Sequence, residues 1–238
     1  MKILAIDTSG LQAGAAIIAA SNSSYIVAGE IFLNARTGEK SWTHSEILMP
    51  GIEQLFTLTR LDIREIDYVV YTSGPGSFTG LRIGAASALG IAHALNKPAI
   101  AVPTLDMLAY NILSPDCTIV PMMDARRGQV YTAVYLADKN AKITRETEFL
   151  ALPVEEILSC LNHNTRVFFL GDGADVNASV ILEKFPTAIF APANNNRQRA
   201  ASAAVWALEK ILAGHTFPTQ IELEYVRAPQ AVREKNKC

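Results

Sequence analysis

The sequence predicts an α/β protein built from two related halves. Three observations lead there. Each half opens with three strand-like segments, at residues 2–6, 13–20 and 24–33, and again at 117–123, 129–137 and 142–150. The first strand of each half ends in an aspartate, Ile6-Asp7-Thr8 and Met123-Asp124-Ala125. Strands, then helix, then strand, twice over, describe a duplicated mixed sheet covered by helices. The repeat lies in element order and not in residue identity, and a single mixed sheet fits the same elements.

The elements follow in order. Residues 2–6 are apolar and short, a buried strand. Segments 13–20 and 24–33 flank the turn-forming Ser21-Asn22-Ser23-Ser24. A helix spans 43–59, with Thr43 as N-cap and Glu46 three residues on, the spacing of a capping box. Pro50 removes one hydrogen bond from that helix and predicts a kink or a later start. Residues 67–72 (with Tyr68-Val69-Val70-Tyr71) form a strand, 79–95 a helix, 98–102 a strand and 104–113 a short helix. In the second half, 129–137 alternates through Val130, Thr132, Val134 and Leu136. A polar segment follows 142–150, then a strand at 166–170 that ends in Gly171-Asp172-Gly173. Residues 186–198 have loop composition, 199–213 read as a helix, and Arg233–Cys238 as a frayed tail. The halves divide into residues 1–103 and 104–238.

Composition narrows the class. The chain has 238 residues, half of them apolar and 18% charged, enough for a sizeable core. A net charge of −2 argues against a freestanding nucleic-acid binder but leaves room for a local basic patch. Cys117, Cys160 and Cys238 are far apart, with no CxxC spacing, which fits a reducing compartment and no zinc site. The apolar run at the N-terminus is too short for a signal peptide. The stretch around 81–95 contains Arg82 and His93 and falls short of a bilayer span. The expectation is a cytoplasmic protein with no membrane partner.

Two features call for explanation. The first is Ser73-Gly74-Pro75-Gly76-Ser77-Phe78-Thr79-Gly80-Leu81-Arg82-Ile83-Gly84, a glycine-rich turn between strand and helix. Such a turn can present backbone N–H groups to an anion. It equally suits tight packing of a helix on a sheet. It has neither the lysine of a Walker A loop nor the G-x-G-x-x-G spacing of a dinucleotide fold. The second is an excess of apolar helix surface. In 43–59, Ile47, Leu48, Met49, Ile52, Leu55, Phe56 and Leu58 cover about 200°, twice the stripe that one core needs. Helix 79–95 is thin, with Gly84, Ala85, Ala86, Ala88 and Gly90. Either both lie inside a layered monomer, or a partner covers a shared outer face.

These residues, in order along the chain, resemble the bacterial TsaB (YeaZ) family. The matching stretches are Ile3–Ser9, His44–Pro50, Gly74–Gly84, Lys97-Pro98, Val102–Asp106, Met123–Tyr131 and Tyr225-Val226-Arg227. That family is the non-catalytic paralogue of TsaD in the machinery that makes N6-threonylcarbamoyladenosine at position 37 of tRNA. The resemblance implies an actin-like, sugar-kinase-like fold of two subdomains and no catalytic residue in this chain. It implies TsaD as main partner, with TsaE in a ternary complex, a homodimer when TsaD is absent, and tRNA engaged indirectly. The docking residues would be His44, Ile47, Leu48, Met49, Ile52 and Leu55 on one helix, and Arg82, Ala86, Leu89 and His93 on the other.

The resemblance also raises metal and nucleotide binding. TsaD carries an H-x-x-x-H metal pair, and the aligned positions here are Thr104 and Leu108. Neither is a ligand, and His44, His93, His163 and His215 show no i, i+4 pairing, so no metal is expected. That counts against a metalloprotease, one of the two alternatives to the scaffold reading. In actin-like folds the strand-end aspartates flank phosphates and Mg²⁺. The corresponding set here is Asp7, Thr8, Ser9, Gly74, Gly76 and Asp124. Asp124 is followed by the bulky Ala125-Arg126-Arg127 rather than glycines, which counts against an ATP-dependent phosphotransferase. The expectation is no required cofactor, with at most weak ATP or ADP binding at a composite site. Arg126 and Arg127 suit a phosphate or RNA contact, or a solvated hairpin tip.

Overall fold

The computed structural model describes residues 1–21, 24–34, 36–37, 40–218, 223–224 and 226. Tyr225, Arg227 and the tail 233–238 lie outside the described residues, as do Asn22 and Ser23 of the first turn. The chain forms two compact units. The first comprises Met1–Met107 with Gln198–Glu224, and the second is built on Leu108–Arg197.

In the first unit, β1 (Lys2–Asp7), β2 (Gln12–Ala20) and β3 (Tyr25–Asn34) make an antiparallel meander. The short hairpin β4 (Arg36–Thr37) and β5 (Lys40–Ser41) leads into α1 (His44–Thr59). That helix starts on the expected box: Glu46 Oε2 accepts from the Thr43 N–H at 2.7 Å and from its hydroxyl at 2.7 Å. It runs on through Pro50, so the later start is not seen. Next come β6 (Tyr68–Gly74), α2 (Phe78–Leu95), β7 (Ala99–Pro103) and α3 (Thr104–Ala109). β6 pairs parallel to β1 and β7 parallel to β6, giving the order β3-β2-β1-β6-β7.

The second unit repeats that order. Its first strand is β8 (Cys117–Arg126), flanked on one side by β9 (Gln129–Thr132) and β10 (Tyr135–Ala137). Beyond these lie β11 (Ile143–Arg145), paired with β10, and β12 (Leu150–Pro153), paired with β9. On the other side β13 (Arg166–Leu170) is parallel to β8, and β14 (Ile189–Phe190) is parallel to β13. The second and third strands are thus each broken in two. At the break Val134 N–H donates to Thr147 Oγ1 and its carbonyl accepts from Glu146, so the ladder turns through side-chain and loop bonds. A duplicated actin-like α/β fold therefore replaces the single-sheet alternative.

Three helices add to the elements the sequence predicts, one in the polar segment and two in the stretch after Gly171 to which it assigns no element. α4 (Val154–Ser159) buries Val154, Ile157 and Leu158, an i, i+3, i+4 set hidden in six residues. α5 (Asp172–Val176) and α6 (Ala178–Lys184) follow Gly171 directly. The last helix, α7 (Ala200–Leu212), belongs to the first unit, so the expected division at 103/104 does not match the contacts. Glu30 on β3 holds the start of α7: it ion-pairs with Arg199 and accepts from the Ala201 N–H at 3.1 Å.

β1 alternates between two cores, as a strand covered on both faces must. Ile3 and Ala5 face α7, where Ala200, Ala203, Ala204 and Ala207 pack flat on Ile18, Val70, Ile100 and Val102. Leu4 and Ile6 face α1 and α2, among Ile17, Val69, Tyr71, Leu48, Ile52, Leu55, Ala85, Ala88 and Ala92. Both doubly apolar helices are thus the outer layer of a three-layer unit.

Candidate interaction surface and the glycine-rich turn

The glycine-rich turn is packed against the chain's own backbone. Ser77 N–H donates to the Ser9 carbonyl at 2.7 Å, and Thr8 Oγ1 donates to the Gly80 carbonyl at 2.7 Å. A Cβ on Gly76 would sit 2.5 Å from that same Ser9 oxygen. Cβ atoms on Gly80 and Gly84 would collide with the carbonyl and hydroxyl of Thr8. Glycines at 76, 80 and 84 thus cut a groove across the turn and the first turns of α2 that receives Thr8-Ser9. Gly74, at φ 121°, faces the carbonyl of Glu224 instead. The helix start is capped by Ser77, whose Oγ accepts from the Gly80 N–H at 3.2 Å. Close packing, one of the two readings of the turn, is what its glycines do here.

The expected phosphate residues around it are interior. Asp7 is 1% exposed, and Thr8 and Ser9 are equally buried. Asp7 Oδ1 accepts from Ser9 N–H at 3.1 Å, Ser9 Oγ at 2.6 Å and Thr72 Oγ1 at 2.8 Å. Its Oδ2 is buried without a partner, as is Nε2 of His44. Burial drives the carboxyl pKa of Asp7 up, against those hydrogen bonds and the nearby His44 charge. A carboxylate facing Mg²⁺ needs an open, polar side, which Asp7 lacks.

The second unit repeats the device. Gly171, at φ 98°, and Gly173 lie against the Met122-Met123 backbone, with a Cβ on Gly173 only 2.8 Å from the Met123 carbonyl carbon. Gly171-Asp172-Gly173 is therefore the topological counterpart of Gly74-Pro75-Gly76, a correspondence the sequence carries but its reading as a turn did not use. Asp124 is only partly buried, and it bonds its own loop. Its Oδ1 accepts from Arg126 N–H at 2.8 Å, and its N–H donates to Asp172 Oδ1 at 3.2 Å. Burial raises the pKa of Asp172, and the Asp124 charge adds to the rise. Among the described residues no three His, Cys, Asp or Glu side chains are grouped to hold a metal ion. Thr104 and Leu108 are fully buried.

The outer faces of α1 and α2 differ from what surrounds them. On α2, Arg82, Ala86, Gly90 and His93 are exposed and Leu89 half-buried, one stripe at spacings of three and four. Arg82 lies over the Phe78 ring at 3.8 Å, extending that stripe to the helix start. At 18 residues α2 is long and apolar enough to cross a membrane by composition, contrary to the length argument. Its inward side, Gly80, Leu81, Gly84, Ala85, Ala88 and Ala92, belongs to the core. On α1 the expected docking set splits. Leu48, Ile52 and Leu55 are core residues at 2% exposure and are removed from it, and Ile47 and His44 are half-buried. Met49 is 47% exposed and Leu58 70%. Beside Met49, a groove of about 890 Å³ runs along Glu53, Phe56, Arg60, Leu61 and Ile63.

Comparison with known proteins defines first a class. The family model described as TsaD: tRNA N6-adenosine threonylcarbamoyltransferase matches residues 38–203. The chain is 33% identical over 182 residues to the tRNA threonylcarbamoyladenosine biosynthesis protein TsaB of Bacillus subtilis (strain 168), covering 76% of this chain and 75% of that protein. It is 32% identical over 142 residues to TsaB of Escherichia coli (strain K12), covering 59% and 57%. Among solved structures, YeaZ from Pseudomonas aeruginosa superposes with a TM-score of 0.74 at 21% identity, over 94% of this chain and 99% of that one. The chain belongs to the TsaB/YeaZ family of tRNA threonylcarbamoyladenosine biosynthesis proteins.

Proposed function

We propose that this chain is the non-catalytic subunit that docks on TsaD and holds it active while a threonylcarbamoyl group passes to N6 of adenosine 37 of tRNA. The observation that carries the reading is the small, apolar outer surface of α1 and α2: Met49, Leu58, Phe78, Ala86 and Gly90 face outward while the opposite sides fill the core. A soluble chain rarely leaves such a surface bare. Small residues let a second pair of helices approach closely. The same surface on a second copy serves a homodimer when TsaD is absent, because an isologous contact uses one patch twice. TsaE joins the assembled pair, and the complex works on tRNA in the cytoplasm.

The chain supplies no nucleophile, base or metal in this scheme. Support comes from Asp7, Thr8 and Ser9, which are buried and hydrogen-bonded within the chain through Asp7 Oδ1, Thr8 Oγ1 and Ser9 Oγ, and from the missing histidine pair at Thr104 and Leu108. A nucleotide held within the assembly would draw its ligands mainly from other chains. The test is capture of TsaD from purified components, followed by reconstitution of the modification with and without this chain. Modification that proceeds equally well without it rejects the activator role. ATP turnover by the chain alone, abolished by Asp7→Ala with Asp124→Ala, favours a phosphotransferase instead.

A further inference from the structure

The β8–β9 hairpin carries two arginines in a backbone conformation that arginine does not favour. The register pairs Arg126 with Gln129 and leaves Arg127-Gly128 as a two-residue tip. Arg126, Arg127 and Gly128 have φ of 65°, 58° and 70°. A tip with left-handed central residues is cheapest as Asn-Gly or Asp-Gly, since side chains with a bulky Cβ substituent strain there. Gly128 meets that demand and Arg127 does not. Residues held in such sparsely populated backbone conformations cluster at functional sites.

The charges at the tip point outward. Arg126 has its side chain 81% exposed, with its guanidinium 3.4 Å from Asp124 Oδ2. Arg127 is exposed and, among the described residues, makes no hydrogen bond or ion pair. The other arginines are mostly engaged. Arg64 is held by Asp62, Arg197 by Asp175, Arg199 by Glu30 and Arg166 by the Pro115 carbonyl. Arg82 and Arg145 lie over Phe78 and Phe149. Only Arg60 shares the free state of Arg127 among arginines whose side chains are described. With a net charge of −2 the chain has no general attraction for polyanions, so any such contact must be local.

We propose that the Arg126-Arg127 tip docks on the phosphodiester backbone of the tRNA. This rests on the function proposed above, in which the complex handles tRNA. Two adjacent guanidiniums on a two-strand support match phosphate oxygens in geometry as well as charge. Arg126 can exchange its long contact with Asp124 for phosphate, and Arg127 has nothing to give up. The contact positions the RNA and carries no sequence information.

The test uses the full chain assembled with TsaD and a fluorescently labelled tRNA, titrated across salt concentrations. Arg127→Asn should weaken binding about tenfold and lower the salt slope by about one, the loss of one charge-assisted phosphate contact. Arg126→Ala with Arg127→Ala should lower the slope by about two. Arg127→Lys should restore much of the loss, and Arg145→Ala, which also removes one charge, should leave the slope unchanged. Arg127→Asn should also raise the melting temperature, because Asn accepts the left-handed backbone. A more stable protein that binds RNA less well separates docking from misfolding. Unchanged affinity and slope in Arg127→Asn overturn the proposal. So does weakened TsaD capture by Arg127→Asn with RNA affinity unchanged at protein concentrations that saturate the complex, which would assign the tip to a protein carboxylate. Reconstitution that needs this chain while the slope stays fixed refutes the tip and spares the activator role.

Discussion

Two glycines in one helix should respond to the same substitution with opposite signs. A Cβ on Gly90 meets nothing within 4 Å, whereas one on Gly80 lands on the carbonyl oxygen of Thr8. Gly90→Ala should stabilise by about 0.5–1 kcal/mol, the difference between Gly and Ala inside a helix. Gly80→Ala gains the same helix term but forces α2 away from the end of β1. Overpacking of that kind costs about 1–3 kcal/mol, and loss of the 2.7 Å bond from Thr8 Oγ1 to the Gly80 carbonyl costs about 1 more. The net expectation is a loss of about 1–3 kcal/mol. Urea unfolding of both variants at low protein concentration measures it, with unchanged m-values as the check that only stability moved. If Gly80→Ala is as stable as the wild type or more so, the glycine run does not serve close packing, and a cradle for a bound anion becomes the better account.

The helix surface should divide along its core boundary: Met49→Glu and Ala86→Glu stay folded by circular dichroism yet lose TsaD capture, while Leu48→Glu unfolds because it buries an unpaired charge. Capture retained by both folded variants would move the interface elsewhere. Asp7 has a folded pKa raised by burial, so its protonated form favours folding. That contribution is complete below the unfolded value near 3.8 and is lost as pH rises through the folded pKa. Asp7→Asn should therefore gain on the wild type as pH climbs above that unfolded value and still capture TsaD; a parallel pair of stability curves would contradict it. Glu30→Ala should cost about 1–3 kcal/mol by freeing Arg199 and the Ala201 N–H. Hydrogen exchange should then rise in α7 ahead of the sheet; uniform change across the unit would show that Glu30 does not anchor the helix.

Much of the architecture was legible because its signals are local. The meander of β1–β3, the Thr43–Glu46 box and the long helix after the glycine turn follow from short-range pattern. What escaped depends on partners far along the chain. α7 joins the first unit through Glu30, 171 residues away from Ala201, a link no window of sequence contains. α4 is only six residues long, too brief for a periodicity to stand out from its acidic surroundings. Projection round a helix gave the width of the apolar arc on α1 but not its phase. Leu48 and Met49, adjacent and both apolar, are therefore equivalent in sequence although one is core and the other surface.

The glycine turns are ambiguous in sequence for a physical reason. A backbone approach to phosphate and a backbone approach to another strand make the same demand on sequence: no Cβ and a left-handed or crowded conformation. Composition cannot separate them, because the difference lies in what occupies the space. Here both turns are filled from their own unit, by Thr8-Ser9 just past β1 against Gly76, Gly80 and Gly84, and by Met122-Met123 of β8 against Gly171 and Gly173. The repetition matters more than either case alone. Two turns, different in sequence and each lying between a parallel strand and the helix after it, use glycine to admit the unit's own backbone at or just past its first strand, so the constraint comes from packing each unit on itself. A ligand role for either turn would have to displace bonds such as Ser77 N–H to Ser9, and the Gly80 and Gly90 substitutions put a number on how much stability those contacts supply.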